Sequence, residues 1–195
     1  MHRKGNSETK MKIVSAAWRL FHEQGYDETT IDDIVYESNT SKGSFYHYFD
    51  SKDALLSSLS DLFDNKYDEL KGTLTDEMTA TDKLLYLNRE LFRLVEDSVP
   101  TELLARLLSS QLVTHSEKHL LDRNRTYYKL LRTIISEGQE KGQLVTAVSV
   151  SDIMKAYAMM ERALMYDWCL CSGEYSLSGY SAGILSAFLQ SYVKK

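Results

Sequence analysis

"GYDETTIDDIVYESNTSKGSFYHYFDSKDAL", residues 25–55, breaks its helical pattern at three places in a short span. Gly25 follows a helical stripe and suits a left-handed cap, with Tyr26 folding back on the helix. Thr30 reads as an N-cap, and Asp33 three residues later completes a capping box. The helix that follows runs to about Glu37 and buries Ile31, Ile34 and Val35. Ser38-Asn39-Thr40 is a polar break in which Asn39 tolerates a positive φ. Ser41 caps a third short helix through about Phe49, and Asp50 or Ser51 caps a fourth that continues to about Lys71. Two short helices joined by a turn of three or four residues make a helix-turn-helix.

Five consecutive rings, Phe45 to Phe49, lie in the third helix. At 100° per residue they divide into two faces. Phe45, Tyr48 and Phe49 share one sector and should pack on the neighbouring helices. Tyr46 and His47 fall on the other side with Lys42 and Gly43. Exposed hydrogen-bonding rings beside Lys and Gly at a helix start suit a phosphate backbone. The helix N-terminus attracts anions, and phosphate contacts position a protein on DNA without reading sequence. Lys52 opens the fourth helix, where a cation opposes the helix dipole; an external anion would explain it. Thr30 presents a hydroxyl on the same side.

Outward from this stretch, the first helix covers about Glu8 to Gln24, with Ile13, Ala16, Ala17, Leu20 and Phe21 as its apolar stripe. Beyond Gly72 the pattern predicts helices at about 81–97, 102–115, 122–141, 151–171 and 177–193. Pro100 separates two of them, and Gly142 marks where another should stop.

The chain has 195 residues, 43% of them hydrophobic, with one proline and nine glycines. So few breakers indicate an almost wholly helical protein with a real core. No apolar run reaches the ~18 residues of a membrane span. The charged N-terminus has no apolar stretch behind it, so it is not a signal peptide. The net charge of −5 argues against wholesale coating of nucleic acid but not against a local basic site. Cys169 and Cys171 are two apart on a helix and point about 200° apart, which excludes a mutual disulfide; two buried thiols in a reducing cytosol are expected. His115 and His119, with Glu117 between them, lack the zinc-protease pattern and a third ligand, and read as a solvated helix end. No cofactor or metal site is expected.

Residues 25–34, then Ser41 to Phe49, then Lys52-Asp53-Ala54-Leu55, closely resemble the DNA-binding domain of TetR-family transcriptional regulators. The resemblance covers the first quarter of the chain and extends to the remainder only in layout. It implies an all-α fold: a three-helix helix-turn-helix domain at 1–52, helix four as a connector to about 72, and an effector-binding and dimerisation domain over 53–195. About nine helices are expected in all. It implies that Thr30 and Lys52 clamp phosphates, and that Tyr46 and His47 contact them from the recognition helix. Thr40, Ser41, Lys42, Gly43 and Ser44 would lie in the major groove, with Lys42 able to read guanine. Arg3 and Lys4 are candidates for an arm on the DNA. The family's usual Ala-Gly-Val before the serine is here Ser38-Asn39-Thr40, so a different base preference at the helix start is expected.

The segment 153–171 carries two apolar faces. Ile153, Tyr157, Met160, Leu164 and Trp168 form one; Ala156, Met159, Ala163 and Leu170 form the other. The last helix repeats small residues at Gly179, Ala182, Gly183, Ser186 and Ala187. With the resemblance, these helices read as a dimer interface, a four-helix bundle on a two-fold axis, with Ala156, Met159, Ala163, Leu170, Gly179, Gly183 and Ser186 in contact. Candidates for an effector pocket are Phe63, Tyr67, Tyr86, Leu108, Leu112, Tyr127, Tyr128, Tyr157, Glu161, Met165 and Trp168, which suit an apolar or aromatic small molecule. An aromatic stripe at helical spacing is nevertheless more often plain core. Glu161, alone in an apolar run, can pair with a cationic ligand, or equally with Arg162 or Lys155 of a neighbouring subunit.

Together these features indicate a cytoplasmic, homodimeric, ligand-responsive transcriptional regulator that is not an enzyme. It would act as a repressor on a palindromic operator in double-stranded DNA, and a small-molecule effector would release it. The rivals are an all-helical enzyme and a helical interaction module without DNA binding. Paired E-x-x-H motifs, a Cys/His constellation or a phosphate-cradling glycine loop would favour the enzyme, and none is present. Intact Thr30, Lys42, Gly43, Tyr46, His47 and Lys52 argue against the interaction module.

Overall fold

The computed structural model describes residues 2–113 and 118–194, with side chains for 8–112 and 118–194. Among them are nine α-helices and no extended strand. The chain divides into two compact units, 1–61 and 62–195.

In the first unit, α1 (His2–Gln24), α2 (Ile31–Glu37) and α3 (Lys42–Tyr48) enclose Ile13, Ala17, Phe21, Ile34 and Phe45. Helix α1 begins earlier than the apolar stripe predicts. The side chains of Arg3 and Lys4 lie outside the described residues. Two helices of seven residues are too short to hold themselves, so their ends carry the information. Gly25 closes α1 at φ +85° with its N–H on Phe21 O. Thr30 and Asp33 form the reciprocal capping box of α2. Asn39 sits at φ +50°, the one left-handed step between α2 and α3. Ser41 accepts from the N–H of Ser44 at the start of α3.

The fourth helix does not begin as one piece. A 3₁₀ turn (Asp53–Ser57) precedes α4 (Ser58–Lys71). Of the two caps expected, Ser51 acts: its hydroxyl accepts from Ala54 N at 3.2 Å.

The second unit contains α5 (Ala80–Ser98), α6 (Thr101–Val113), α7 (Thr126–Glu140), α8 (Val150–Leu170) and α9 (Leu177–Gln190). Thr79 and Asp82 make a second capping box, at α5. Helix α7 starts four residues later than predicted. A 3₁₀ turn (His119–Leu121) and a turn in which Asp122 accepts from Asn124 N occupy the preceding segment. Helix α9 ends early because the chain leaves it to pair with the segment after α7. Val145 donates to Tyr192 O at 2.8 Å and Lys194 donates to Gln143 O at 3.1 Å. Both cysteines are free thiols, but they are not both buried. Cys171 caps α8 in solvent, while partial burial pushes the Cys169 thiol up to about 11. His115 and Glu117 lie outside the described residues, and His119 is exposed.

Helix α7 approaches the start of α5 at Gly138. A Cβ built there would lie 2.5 Å from Ala80 Cβ and 3.0 Å from Leu144 Cδ1. Gly138→Ala removes a mid-helix glycine, which by propensity gains about 1 kcal/mol. It also forces the Ala80 backbone away, and overpacking of this kind costs about 1–3 kcal/mol. The net effect expected in urea unfolding is a lower midpoint; an unchanged or higher midpoint would show that the helices separate freely.

Candidate functional site

The two faces predicted for α3 are present. Phe45 is fully buried and Phe49 nearly so, while Tyr46 is 53% exposed. Lys42, Gly43 and His47 are exposed beside Tyr46, and Tyr48 is half-buried between His47 and Phe49. Ser41 is exposed, and Thr40 and Ser44 are partly covered. The Ser41 and Ser44 hydroxyls are 3.0 Å apart, and that of Thr40 is 2.8 Å from Ser38 Oγ. Lys42 Nζ reaches Asp32 Oδ1 of α2 at 2.7 Å, and this carboxylate holds the lysine above its ordinary range. Both side chains are well exposed, so the pair opens at little cost. The Thr30 hydroxyl, also exposed, donates to Asp33 Oδ2 at 2.7 Å.

Lys52 departs from the expectation. Its ammonium turns inward onto the loop between α1 and α2, donating to Tyr26 O at 2.6 Å, Thr29 O at 2.8 Å and Asp27 O at 3.5 Å. It also lies 4.3 Å from the centre of the Tyr26 ring. The Tyr26 hydroxyl donates to Asp53, the next residue along from Lys52. Backbone carbonyls therefore offset a cation at this helix start without need of an external anion. The lysine positions the helix-turn-helix by tying the loop before α2 to the segment after α3.

In the second unit a small cavity of about 40 Å³ lies among α4 to α8, room for about three waters. Of the predicted pocket residues, Phe63, Tyr67, Leu108, Tyr127, Glu161 and Met165 line it. Leu91, Leu104, Leu107, Leu120, Arg125 and Arg162 also line it and are additional to the sequence reading. The other five predicted residues do not line it. Leu112 is 74% exposed. Tyr86 is half-buried, 3.0 Å from the Thr73 hydroxyl. Tyr128, Tyr157 and Trp168 are core residues whose polar atoms donate to the carbonyls of Leu120, Leu84 and Tyr175. Sequence spacing places a ring on a face but does not show which carbonyl satisfies its hydroxyl.

Glu161 is a buried carboxylate of this unit, 3% exposed. The Tyr127 hydroxyl donates to its Oε2 and Asn88 Nδ2 to its Oε1 at 2.9 Å. Asn88 Oδ1 in turn accepts from Ser181 Oγ of α9 at 3.0 Å. Burial pushes the Glu161 carboxyl above the ordinary carboxylate range against these hydrogen bonds. Arg125 is locked to Asp64 of α4 at 2.9 and 3.1 Å, and Arg162 donates to the Tyr128 hydroxyl at 3.3 Å.

Outside this core, α8 and α9 leave apolar and small residues uncovered in the single chain. Met159, Ala163, Leu170, Gly179 and Gly183 are exposed, and Ala156 and Ser186 are partly so. Tyr166 and Tyr180, both about half exposed, lie on the same helices and were not singled out by spacing. Among the described residues, no group of three or more His, Cys, Asp or Glu is placed to hold a metal, and no helix is long and apolar enough to cross a membrane.

Two predictions follow from these positions. Lys52→Ala is expected to lower unfolding stability by about 1–3 kcal/mol, since it orphans carbonyls bonded to a charge; unchanged stability in urea titration would return Lys52 to an external role. For Glu161, the folded state holds its proton to higher pH than the unfolded chain. Stability therefore falls as pH rises from the ordinary carboxylate value through the raised one. Glu161→Gln should lack that component, which parallel unfolding titrations across this range would reveal as a flatter profile.

Residues 13–59 match the family model described as bacterial regulatory proteins, tetR family. Over 127 residues the chain is 31% identical to the HTH-type transcriptional regulator YvdT of Bacillus subtilis, covering 65% of this chain and 64% of that one. Over 46 residues it is 50% identical to IcaR of Staphylococcus aureus, the negative transcriptional regulator of the biofilm operon icaADBC, covering 24% and 25% of the two chains. The chain thus spans under two thirds of the length of these curated relatives. In fold it is similar to Thermus thermophilus FadR, a TetR-family transcriptional repressor solved in complex with lauroyl-CoA. The TM-score is 0.76 over 92% of each chain, at 21% identity. Residues 13–59 are thus a helix-turn-helix domain of the tetR family of bacterial regulatory proteins.

Proposed function

We propose that this chain is a cytoplasmic, non-enzymatic transcriptional repressor that binds a palindromic operator as a homodimer and releases it when a small molecule fills the C-terminal cavity. The observation that carries the reading is the division of α3. Phe45 and Phe49 anchor it, while Lys42, Gly43, Tyr46 and His47 stand exposed along its other face. In this reading Tyr46 and His47 donate to phosphates, and Thr30 adds a hydroxyl beside them. Thr40, Ser41, Lys42, Gly43 and Ser44 enter the major groove, where Lys42 leaves Asp32 to reach a guanine edge. Lys52 supports this surface from behind. IcaR is a negative transcriptional regulator and the Thermus FadR a repressor, and the acyl-CoA of the latter supports a small-molecule effector.

Dimerisation supplies the second recognition helix. The exposed Met159, Ala163 and Leu170 on α8, with Gly179 and Gly183 on α9, match the small-and-apolar surface of a helix-bundle interface. Ala163→Glu places a charge in its centre and is expected to yield a monomer by analytical ultracentrifugation. A variant that stays dimeric would move the interface elsewhere.

The decisive experiment is a gel-shift titration of the full chain against the DNA upstream of its own gene. Tight, steeply salt-dependent binding is expected. Tyr46→Phe should weaken it about fivefold on every sequence, the loss of one hydrogen bond. Lys42→Ala should relax preference at one base pair per half-site. Absence of binding at low salt would overturn the reading.

A further inference from the structure

Among the described residues, one polar atom at the cavity of the C-terminal unit is unanswered. The Tyr67 side chain is 2% exposed and lines the cavity, and among the described residues its hydroxyl has no hydrogen-bond partner. A buried hydroxyl without a protein partner is satisfied by water or by a bound group, and a ligand that displaces the water must replace its hydrogen bond. Tyr67 packs on Tyr127, ring centres 5.0 Å apart, and Tyr127 holds the carboxylate of Glu161. That carboxylate accepts from Tyr127 and Asn88 and lies against the Tyr157 hydroxyl, which leaves one of the roughly four acceptor directions of an ionised carboxyl.

We propose that this corner, Tyr67 with Glu161 and Tyr127, is the recognition site for an amine: an effector with an apolar body and a protonated amino group. The inference rests on the reading of the cavity as an effector site. An ammonium has several N–H donors and no acceptor. It donates to the remaining lone pair of Glu161 and to the Tyr67 oxygen together. It also neutralises a buried carboxylate, and the tyrosine faces around it favour a cation. The apolar body lies against Leu104, Leu107 and Met165.

The two arginines at the cavity do not reverse this preference. Arg125 is neutralised by its bidentate pairing with Asp64. Arg162 is turned to the Tyr128 hydroxyl. An anionic head on Arg162 would leave Tyr67 unanswered, and one moved in to reach Tyr67 would meet the Glu161 carboxylate. A purely apolar ligand would bury both polar groups without a partner.

The test is calorimetric titration of the full-length protein, without DNA, with 2-phenylethylamine, 2-phenylethanol and 3-phenylpropanoate. The amine is expected to bind most tightly. Glu161→Gln should weaken it about thirtyfold or more, the loss of one partner of a buried charge pair. Tyr67→Phe should weaken it about fivefold. Tyr67→Phe removes only an unpartnered hydroxyl, so it keeps the test sound if Glu161→Gln does not fold. The proposal is overturned if the carboxylate binds as well as the amine, if either variant leaves amine affinity unchanged, or if none of the three probes binds. None of these outcomes bears on operator binding, which the gel shift decides separately.

Discussion

The second unit depends on one buried carboxylate. An ionisable group almost removed from water must be hydrogen-bonded, or the fold pays for its desolvation. Glu161 of α8 meets this demand through Tyr127 of α7 and Asn88 of α5, and Asn88 extends the chain of bonds to Ser181 of α9. Four helices are thereby joined through directional contacts. The leucines around them supply the larger share of burial, but apolar packing is non-directional and tolerates rotation of one helix on another. A carboxylate between a phenol and an amide does not, because a rotation of one residue would leave each partner unsatisfied.

The first unit solves a different problem. Its α2 and α3 have seven residues each, well below the length at which a helix persists alone. Their placement comes from caps, from the left-handed step at Asn39, and from Lys52 gathering the carbonyls of the preceding loop. The lysine's charge is opposed to the helix it opens, but the carbonyl oxygens offset this locally. The exposed face of α3 is thus carried on a scaffold whose rigidity is mostly polar and main-chain in origin.

These two kinds of contact also separate what was legible in the sequence from what was not. Caps and turns are local chemistry, so Gly25, Thr30, Asn39 and Ser41 could be assigned from their neighbours alone. The split of the ring-rich stretch followed from 3.6-residue periodicity, and Phe45 against Tyr46 came out on the expected sides. Lys52 did not, because its acceptors are main-chain oxygens more than twenty residues away and carry no side-chain signature. Tyr127 and Tyr128 are adjacent in sequence, yet one lines the cavity and the other is closed onto Leu120 O; only tertiary packing distinguishes them. The end of α9 escaped for a similar reason. Its last apolar residues continue the helical pattern but are drawn off to pair with residues 143–145.

The size of the cavity gives the proposed release mechanism its energetic logic. At about 40 Å³ it is too small for most effectors. A ligand that enters must displace side chains, and it shifts the equilibrium only by its differential affinity for the opened form. A body that merely fills apolar space gains burial but strands the Tyr67 hydroxyl and the free direction of Glu161. A group that bonds to both binds the opened form with partners the closed form lacks. Whatever moves Glu161 then moves Asn88, and with it Ser181 on α9, whose outer face carries Gly179 and Gly183. In the proposed mechanism, specificity for the ligand and the mechanical consequence of binding it would therefore pass through the same carboxylate.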